Sequence, residues 1–415
     1  MYSRRAMLRM GTVVGLATVA GGAAPRAETG GWLRDVGVPA PGDPVYRTWL
    51  PAPAGTEDPD DIGSAAIRYV DVDRALERGD AVSTGLAGTL FEFWAFGDWF
   101  GHALADLEGL LVIGAGPLTV AYVGEIDAAE AENGLEASGY DPLETDGPAE
   151  LFVRRDQPRL VGVTASGVVQ TELADASDES IERGRVRIES LVDAHAGERD
   201  RRHETEPAFE RLTDRLGRGI RTTAPLERLE WIPEDATWGT TLDATDDGAV
   251  RRASVALPDD RGTDDEAADE LEDAFTSHLE DAWGDEATVY ADRSGLEGVV
   301  HLADEPIGDV TTAVPPRTTL AFEYDEDEQT ATVTNRAGDA LERSRLVITV
   351  DGQTGEGLQF ADGRFESGDR FNVRGLPGDV IVGFQYELES GLQANLGQFV
   401  GSGSLTADPD DDLEA

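Results

Sequence analysis

Apolar and polar residues alternate with a period of two along much of this chain, and at intervals the alternation gives way to helical spacing. "AAIRYVDVD", Ala65 to Asp73, alternates as a strand does, and "RALERGD" after it suits a short helix or turn. "LTVAYVGEI", Leu118 to Ile126, reads as a second, more apolar strand, followed by a helix with Asp127 near its N-cap and Gly139 near its stop. "ELFVRR" and "RLVGVTASGVVQTEL" give two or three strands, with Ala165, Ser166 and Gly167 as a hairpin turn. Ile181, Val186, Ile188, Leu191, Val192 and His195 then fall on one stripe of a helix from Asp178 to Ala196. Pro207 opens a further helix with Phe209, Leu212 and Leu216 on its apolar face, and Gly217 ends it.

A second unit begins at "LEWIPEDATWGTTLD" and runs through the strand "RRASVALP", an acidic helix from Asp264 to Leu279, and the strands "ATVYAD" and "EGVVHL". Its order of strand, acidic helix and strands echoes the unit that starts at Leu118, and "TWLPAPA" is echoed by "EWIPEDA"; the repeat is weak. Beyond it, short alternating strands are broken by Asp-Gly, Ser-Gly-Asp and Pro-Gly-Asp turns, the spacing of a β-sandwich of Ig-like type. The expected fold class is therefore α+β: a leader over 1–30, an extended lead-in over 31–60, α+β units over 61–225 and 226–310, a β-sandwich over 311–404 and an acidic disordered tail over 405–415.

Charge changes this picture. The 415 residues carry 83 Asp plus Glu against 34 basic residues, every one of them Arg, for a net charge of −49. The acid is spread along the whole chain, and self-repulsion of that size is tolerable where salt screens it, since the Debye length at about 1 M is only about 3 Å. The composition thus resembles that of proteins from extremely halophilic archaea, which makes bulk monovalent salt the expected ionic partner. Nucleic acid is excluded as a partner because phosphate contact needs clustered Arg or Lys and no basic face is evident. With no Cys there is no disulfide framework, thiolate metal site or Cys nucleophile. None of Asn133, Asn335, Asn372 and Asn395 is followed two positions later by Ser or Thr, so no N-glycosylation sequon is present.

"SRRAMLRM" places Ser3, Arg4 and Arg5 ahead of Met7, Leu8 and Arg9, and a Gly- and Ala-rich apolar run follows. The segment is similar to the twin-arginine export signal. Met10 to Ala24 is shorter than the roughly 20 residues a spanning helix needs. Gly22, Ala23 and Ala24 offer a cleavage site; left uncut, the segment would anchor the chain. No second apolar run of spanning length occurs.

"LPAPAG" leading to "AIRYVDVD", then "YVGEIDAAEAENGLEASGY", a hairpin and "EPAFERLTDRLG" resemble a broad family of uncharacterised extracytoplasmic α+β proteins, a likeness of pattern over about residues 45 to 305 that carries no catalytic residues. "FEYDEDEQTATVTNRAGDAL", "LVITVDG" and "SGDRFNV" resemble the C-terminal β-domain of haloarchaeal type IV pilins, while the long apolar pilin helix is missing. Together these resemblances imply an exported, extracellular or cell-surface protein with a non-enzymatic binding or structural role in the envelope. The alternative is a secreted hydrolase or metal-dependent enzyme with an unrecognised carboxylate and His site.

Candidate chemistry is sparse. "LFEFWAFGDWF", Leu90 to Phe100, packs six aromatic rings into eleven residues, too few to span a bilayer, and reads as core before it reads as a ligand wall. If 98–107 is helical, Asp98, His102 and Asp106 share one face at i, i+4 and i+8, where carboxylates could orient an imidazole or hold a ligand or metal; the plainer reading is a capping Asp98, a solvated Asp106 and an ordinary His102. Asp71 and Asp73 share one face if both lie on a strand, a candidate divalent-cation pair. "DATDDG", Asp243 to Gly248, resembles the start of a calcium loop, but Ser254 stands where the bidentate Glu is required, so it reads as a turn. His195, His203, His278 and His301 lack metal-binding spacing, and neither a nucleophile elbow, a phosphate loop nor a dinucleotide fingerprint is present. No cofactor is expected.

Overall fold

The computed structural model describes residues 42, 44–54, 61–114, 117–145, 147–226, 229–245, 248–257, 265–283, 287–292, 295–302, 307, 310, 314–350, 353–354, 363–374 and 381–400. Arg4 and Arg5 of the export motif, the rest of 1–30, most of the lead-in and the tail at 405–415 lie outside the described residues. Helices and antiparallel sheets are both present, so the chain is an α+β protein.

Among the described residues twelve strands build the body: β1 (Ile67–Asp71), β2 (Gly109–Ile113), β3 (Thr119–Val123), β4 (Asp141–Leu143), β5 (Glu150–Arg154), β6 (Arg159–Thr164), β7 (Gly167–Glu172), β8 (Arg221–Ala224), β9 (Thr237–Thr245), β10 (Gly248–Ala256), β11 (Thr288–Asp292) and β12 (Gly295–Leu302). They form one sheet in the order β11-β12-β10-β9-β8-β1-β2-β3-β7-β6-β5-β4. Pairing of β8 with both β1 and β9 carries hydrogen bonding continuously from 61–225 into 226–310. The β4 edge is short and carries Pro142, which cannot donate to a further strand.

Among the described residues seven α-helices accompany the sheet: α1 (Val72–Glu77), α2 (Thr84–Phe96), α3 (Ala128–Ala137), α4 (Asp178–Ala196), α5 (Arg202–Thr205), α6 (Pro207–Leu216) and α7 (Asp265–Trp283). The period of two sorts the strand residues onto two faces, and both are covered. Tyr69, Leu111, Ala121, Leu151, Leu160 and Val169 belong to one core with Ile188 and Leu191 of α4 and Phe209 of α6. Val70, Leu110, Val112, Val120, Tyr122, Phe152 and Val161 belong to the other, with α2, α3 and the C-terminal strands. Burial on both faces is why β2 and β3 are buried at every position, where a sheet wet on one side would alternate with polar residues. A separate core of Val255, Phe275, Leu279 and Leu296 joins α7 to the far strands.

The remaining chain adds β13 (Thr318–Asp325), β14 (Thr330–Gly338), β15 (Leu341–Glu342), β16 (Leu346–Val350), β17 (Gln353–Thr354), β18 (Arg364–Phe365), β19 (Arg370–Arg374), β20 (Ile381–Glu387) and β21 (Gln393–Val400). These form sheets β13-β14-β19, β17-β16-β20-β21 and the small pair β15-β18. Phe384 of β20 meets Phe322 of β13 and Phe371 of β19, with ring centroids 5.1 and 6.0 Å apart, so aromatic side chains bridge the two larger sheets.

The aromatic segment resolves into two parts. Ser83 caps α2 by accepting from the Leu86 N–H, and Leu86, Ala87, Leu90, Phe91, Trp94 and Ala95 recur at helical spacing as its buried stripe. Leu86, Leu90, Phe91 and Trp94 are each no more than 3% exposed, and full burial of such side chains is worth about 1.5–3 kcal/mol apiece. The helix lies between the body and the C-terminal region, packing against β2 and β21. It ends at Gly97, whose backbone turns to φ −80°, ψ 154°. No helix among the described residues is long and apolar enough to cross a membrane.

Candidate functional site

Beyond Gly97 the chain is irregular, with a 3₁₀ turn at Leu104–Asp106, and the helix expected over 98–107 does not form. The backbone leaves helical geometry at Gly97, and Gly101 sits at φ +94°, a left-handed conformation that Gly adopts without the penalty other residues incur. The three candidates therefore do not share a face, and each is engaged separately. Asp106 is exposed and accepts from the Ala103 N–H at 2.8 Å, capping its own turn. His102 is buried; its Nε2 accepts from the Asp127 N–H at 3.2 Å, which leaves Nδ1–H to meet the Phe100 carbonyl at 3.3 Å. Nε2 thus ties the loop to the start of α3, while Nδ1 holds the loop to itself.

Asp98 is the hub of a buried charge network. Its Oδ2 accepts from the Tyr140 hydroxyl at 2.7 Å, and its Oδ1 from Arg154 Nη1 at 3.0 Å and Arg159 Nη1 at 2.7 Å. The Arg154 side chain is 0% exposed; it also donates to Asp156 and to the Leu320 carbonyl of β13, the latter at 2.8 Å. Asp156 in turn pairs with Arg336 of β14 at 2.9 Å. Burial alone would push the Asp98 carboxyl up, but Arg159, Arg154 and the Tyr140 hydroxyl outweigh it and hold it well below the usual carboxylate range. Neighbouring bonds extend the seam: the Trp99 N–H donates to Thr319 Oγ1 at 2.8 Å, and the Ser138 hydroxyl to the Trp99 carbonyl at 2.7 Å. The network clamps the end of α2 and strands β5 and β6 to the first C-terminal hairpin.

Next to the clamp lies a second buried guanidinium. Arg317 is 1% exposed, with its Cζ 4.0 Å from the Phe100 ring centroid, 4.4 Å from Tyr122 and 4.7 Å from Trp94. Its Nε approaches the Gly97 carbonyl at 3.4 Å, whereas Nη1, Nη2 and the Tyr122 hydroxyl have no hydrogen-bond partner among the described residues. A Cβ at Gly97 would collide with Tyr122 Oη and Arg317 Nη2, so only glycine fits there. Burial pulls the Arg317 pKa below its ordinary value, with Tyr122 and Asp98 opposing the shift. Arg317 lines a cleft of about 890 Å³ between the body and the C-terminal region, whose other walls include Trp94, Trp99, His102, Arg345 and Glu389.

The remaining candidates are placed apart. Asp71 ends β1 and caps α1 through the Arg74 N–H, whereas Asp73 lies inside α1, so the two do not form the expected strand-face pair. Asp71 is fully buried and accepts both Nε and Nη2 of Arg218, at 2.5 and 3.0 Å. Asp243, the start of the calcium-like run, is paired with Arg74, while Asp246 and Asp247 lie outside the described residues. His195 on α4 stacks on Trp49 at 4.2 Å, His203 lies on α5, His278 on α7 and His301 on β12. Among the described residues no group of three or more His, Asp or Glu side chains is gathered for a metal ion.

Sequence reasoning missed Tyr140, Arg154, Arg159 and Arg317. The available signal was an Arg at the end of the mostly apolar strand in "ELFVRR", in phase with Phe152; Arg317, opening "RTTLAF", is in phase with Thr319 and Glu323, and alternation does not mark it.

No family model matches the chain, and no curated protein matches it. A solved structure described as "Structure of crystal form I of TP0453" is similar over 62% of this chain and 95% of that one, at 12% identity and a TM-score of 0.34.

Proposed function

We propose that this protein is an exported, non-enzymatic component of a halophilic cell surface, and that it binds its ligand in the cleft between the sheet body and the C-terminal region. The twin-arginine pattern at Arg4 and Arg5 and the dispersed acid support export into a saline exterior. The C-terminal strands are read here as an Ig-like sandwich of the kind found in pilin β-domains, and the units over 61–225 and 226–310 as a diverged repeat. Envelope components are the partners this reading implies. It requires no resident cofactor, and monovalent salt supplies the screening.

The observation that carries a binding role is how the charges are used. The buried Asp98 is consumed by Tyr140, Arg154 and Arg159, and Arg154 also donates to the Leu320 carbonyl of β13, which joins the body to the C-terminal region beside the cleft. Such an arrangement preorganises a groove, and preorganisation favours binding. Following the native chain and an Arg4→Lys/Arg5→Lys variant in a haloarchaeal host tests the reading. Wild-type protein in the envelope or medium, with the variant retained in the cytosol, supports it. Wild-type protein confined to the cytosol, or hydrolysis by the purified chain that is lost on a single carboxylate substitution, overturns it.

A further inference from the structure

We propose that the cleft takes an uncharged saccharide, which stacks on Trp99 and exchanges hydrogen bonds with the exposed charged side chains that line the same cleft. The proposal rests on the reading of the cleft as the binding place and names the ligand class. Arg317 and Trp94 are sealed into the protein and take no part. What a ligand can reach is the partly exposed Trp99 together with Arg345, Arg364, Asp339, Glu342 and Glu389. The approach to these groups is open: the side chains of Glu389 and Glu342 are 84% and 53% exposed, and Arg364 and Asp339 are exposed as well. Trp99 is held firmly, its N–H on Thr319 Oγ1 and its carbonyl on the Ser138 hydroxyl, and its ring rests against Gly338, where a Cβ would come within 3.0 Å of the indole. A fixed indole is a platform for the apolar C–H face of a sugar ring.

The hydrogen-bonding groups left over select the ligand. Among the described residues Arg364 and Trp99 Nε1 donate to nothing, so both are free donors. Asp339 spends Oδ2 on the Arg317 backbone N–H, and Glu389 spends Oε1 on Arg345, which leaves Asp339 Oδ1 and Glu389 Oε2 as free acceptors. A hydroxyl donates and accepts at once, so a polyol meets both kinds, whereas a carboxylate only accepts and an ammonium only donates. Charge points the same way. Two reachable cations stand among three carboxylates, and Arg345 is already shared by Glu342 at 2.9 Å and Glu389 at 2.7 Å. An anion would meet an excess of its own sign, and a cation would meet the unpaired Arg364. In salt of about 1 M the Debye length is about 3 Å, so charge draws no ligand from a distance, while stacking and hydrogen bonding act at contact. The cleft also lies within the size range of small-molecule sites, about 300–1,000 Å³.

The test applies the full chain in molar KCl to an array of neutral, uronic-acid and amino-sugar glycans, then titrates the best-retained neutral oligosaccharide by calorimetry and Trp fluorescence. Neutral glycans should be retained ahead of both charged sets, with an affinity that changes less than about twofold between about 1 M and about 3 M KCl. Trp99→Ala and Arg364→Ala should each weaken binding about tenfold, the scale of one stacking contact or one charged hydrogen bond. Arg364→Ala removes an exposed, unpaired side chain and leaves the fold intact, so it decides the matter should Trp99→Ala not fold. Retention of no glycan, retention of charged glycans ahead of neutral ones, or wild-type affinity in the Arg364→Ala chain overturns the proposal. A charged glycan whose binding is lost in Trp99→Ala overturns the ligand class and keeps the cleft as the binding place. Surface localisation is read separately: a failed array leaves the exported role standing, and a cytosolic protein removes that role whatever binds.

Discussion

Replacing Asp98 by Asn removes one negative charge and leaves its shape, and its cost follows from what surrounds it. Arg154 and Arg159 both direct Nη1 at Asp98 Oδ1, with side chains 0% and 16% exposed. Breaking a buried pair by removing one partner costs about 3–5 kcal/mol, because the other charge stays buried without compensation. Arg154 keeps Asp156 and the Leu320 carbonyl, so the lower end applies, about 3 kcal/mol, a large share of the roughly 5–15 kcal/mol that holds a protein folded. Urea unfolding in molar KCl measures it, and a double-mutant cycle with Arg159→Met should give a coupling of about 1–3 kcal/mol. The loss should change little with KCl concentration, since buried pairs are screened less than exposed ones. The clamp also joins the body to β13, so Asp98→Asn should split one cooperative transition into two by calorimetry. A loss under about 1 kcal/mol with no coupling, the behaviour of an exposed ion pair, would refute the reasoning.

Because the folded Asp98 carboxyl is held below its unfolded value of about 3.9, its contribution is fully present above that pH and is lost as pH falls toward the folded value; acid titration of stability should show a limb that Asp98→Asn flattens. Gly97→Ala drives a methyl into Tyr122 and Arg317 and should cost about 1–3 kcal/mol of overpacking in urea unfolding, while Gly363→Ala, where no atom lies near the added methyl, reports the backbone effect at positive φ alone. Asp71→Asn should cost about 2–4 kcal/mol through loss of its Arg218 pair and weakening of its cap, whereas Asp73→Asn on the exposed side of α1 should stay within about 0.5 kcal/mol. Added calcium should leave the stability of both variants unchanged relative to wild type if Asp71 is held as described.

Local signals in the sequence located the elements they govern. The helix expected from Asp178 to Ala196 is α4 to the residue, although Val186 of its stripe is exposed; Pro207 and Gly217 bracket α6, and Asp127 caps α3. These features depend on caps, breakers and spacing within a few residues. What was not legible depends on partners far along the chain. Segment 84–96 is hydrophobic on most sides because β2 and β21 both cover it, so its helical period was blurred and strand and helix could not be told apart. Asp98 enters as one of three residues on a helix face that does not form; its partners stand 42 to 61 positions away, and in a chain this acidic no spacing rule marks one carboxylate among many. Nor could alternation show that the strands of 61–225 and 226–310 share one sheet, since pairing of β8 with β9 is a matter of register and not of composition.

The position of α2 has a consequence for synthesis. A ribosome completes residues 84–96 roughly 300 residues before β21 emerges, which at about 5–20 residues per second is a wait of roughly 15–60 s. Throughout that interval α2 lacks one of the strands it packs against, and the nascent chain presents an incompletely covered aromatic helix to any chaperone or neighbouring chain. β21 thus closes a gap left open since α2 was made, and its loss would reach the first third of the molecule through that contact.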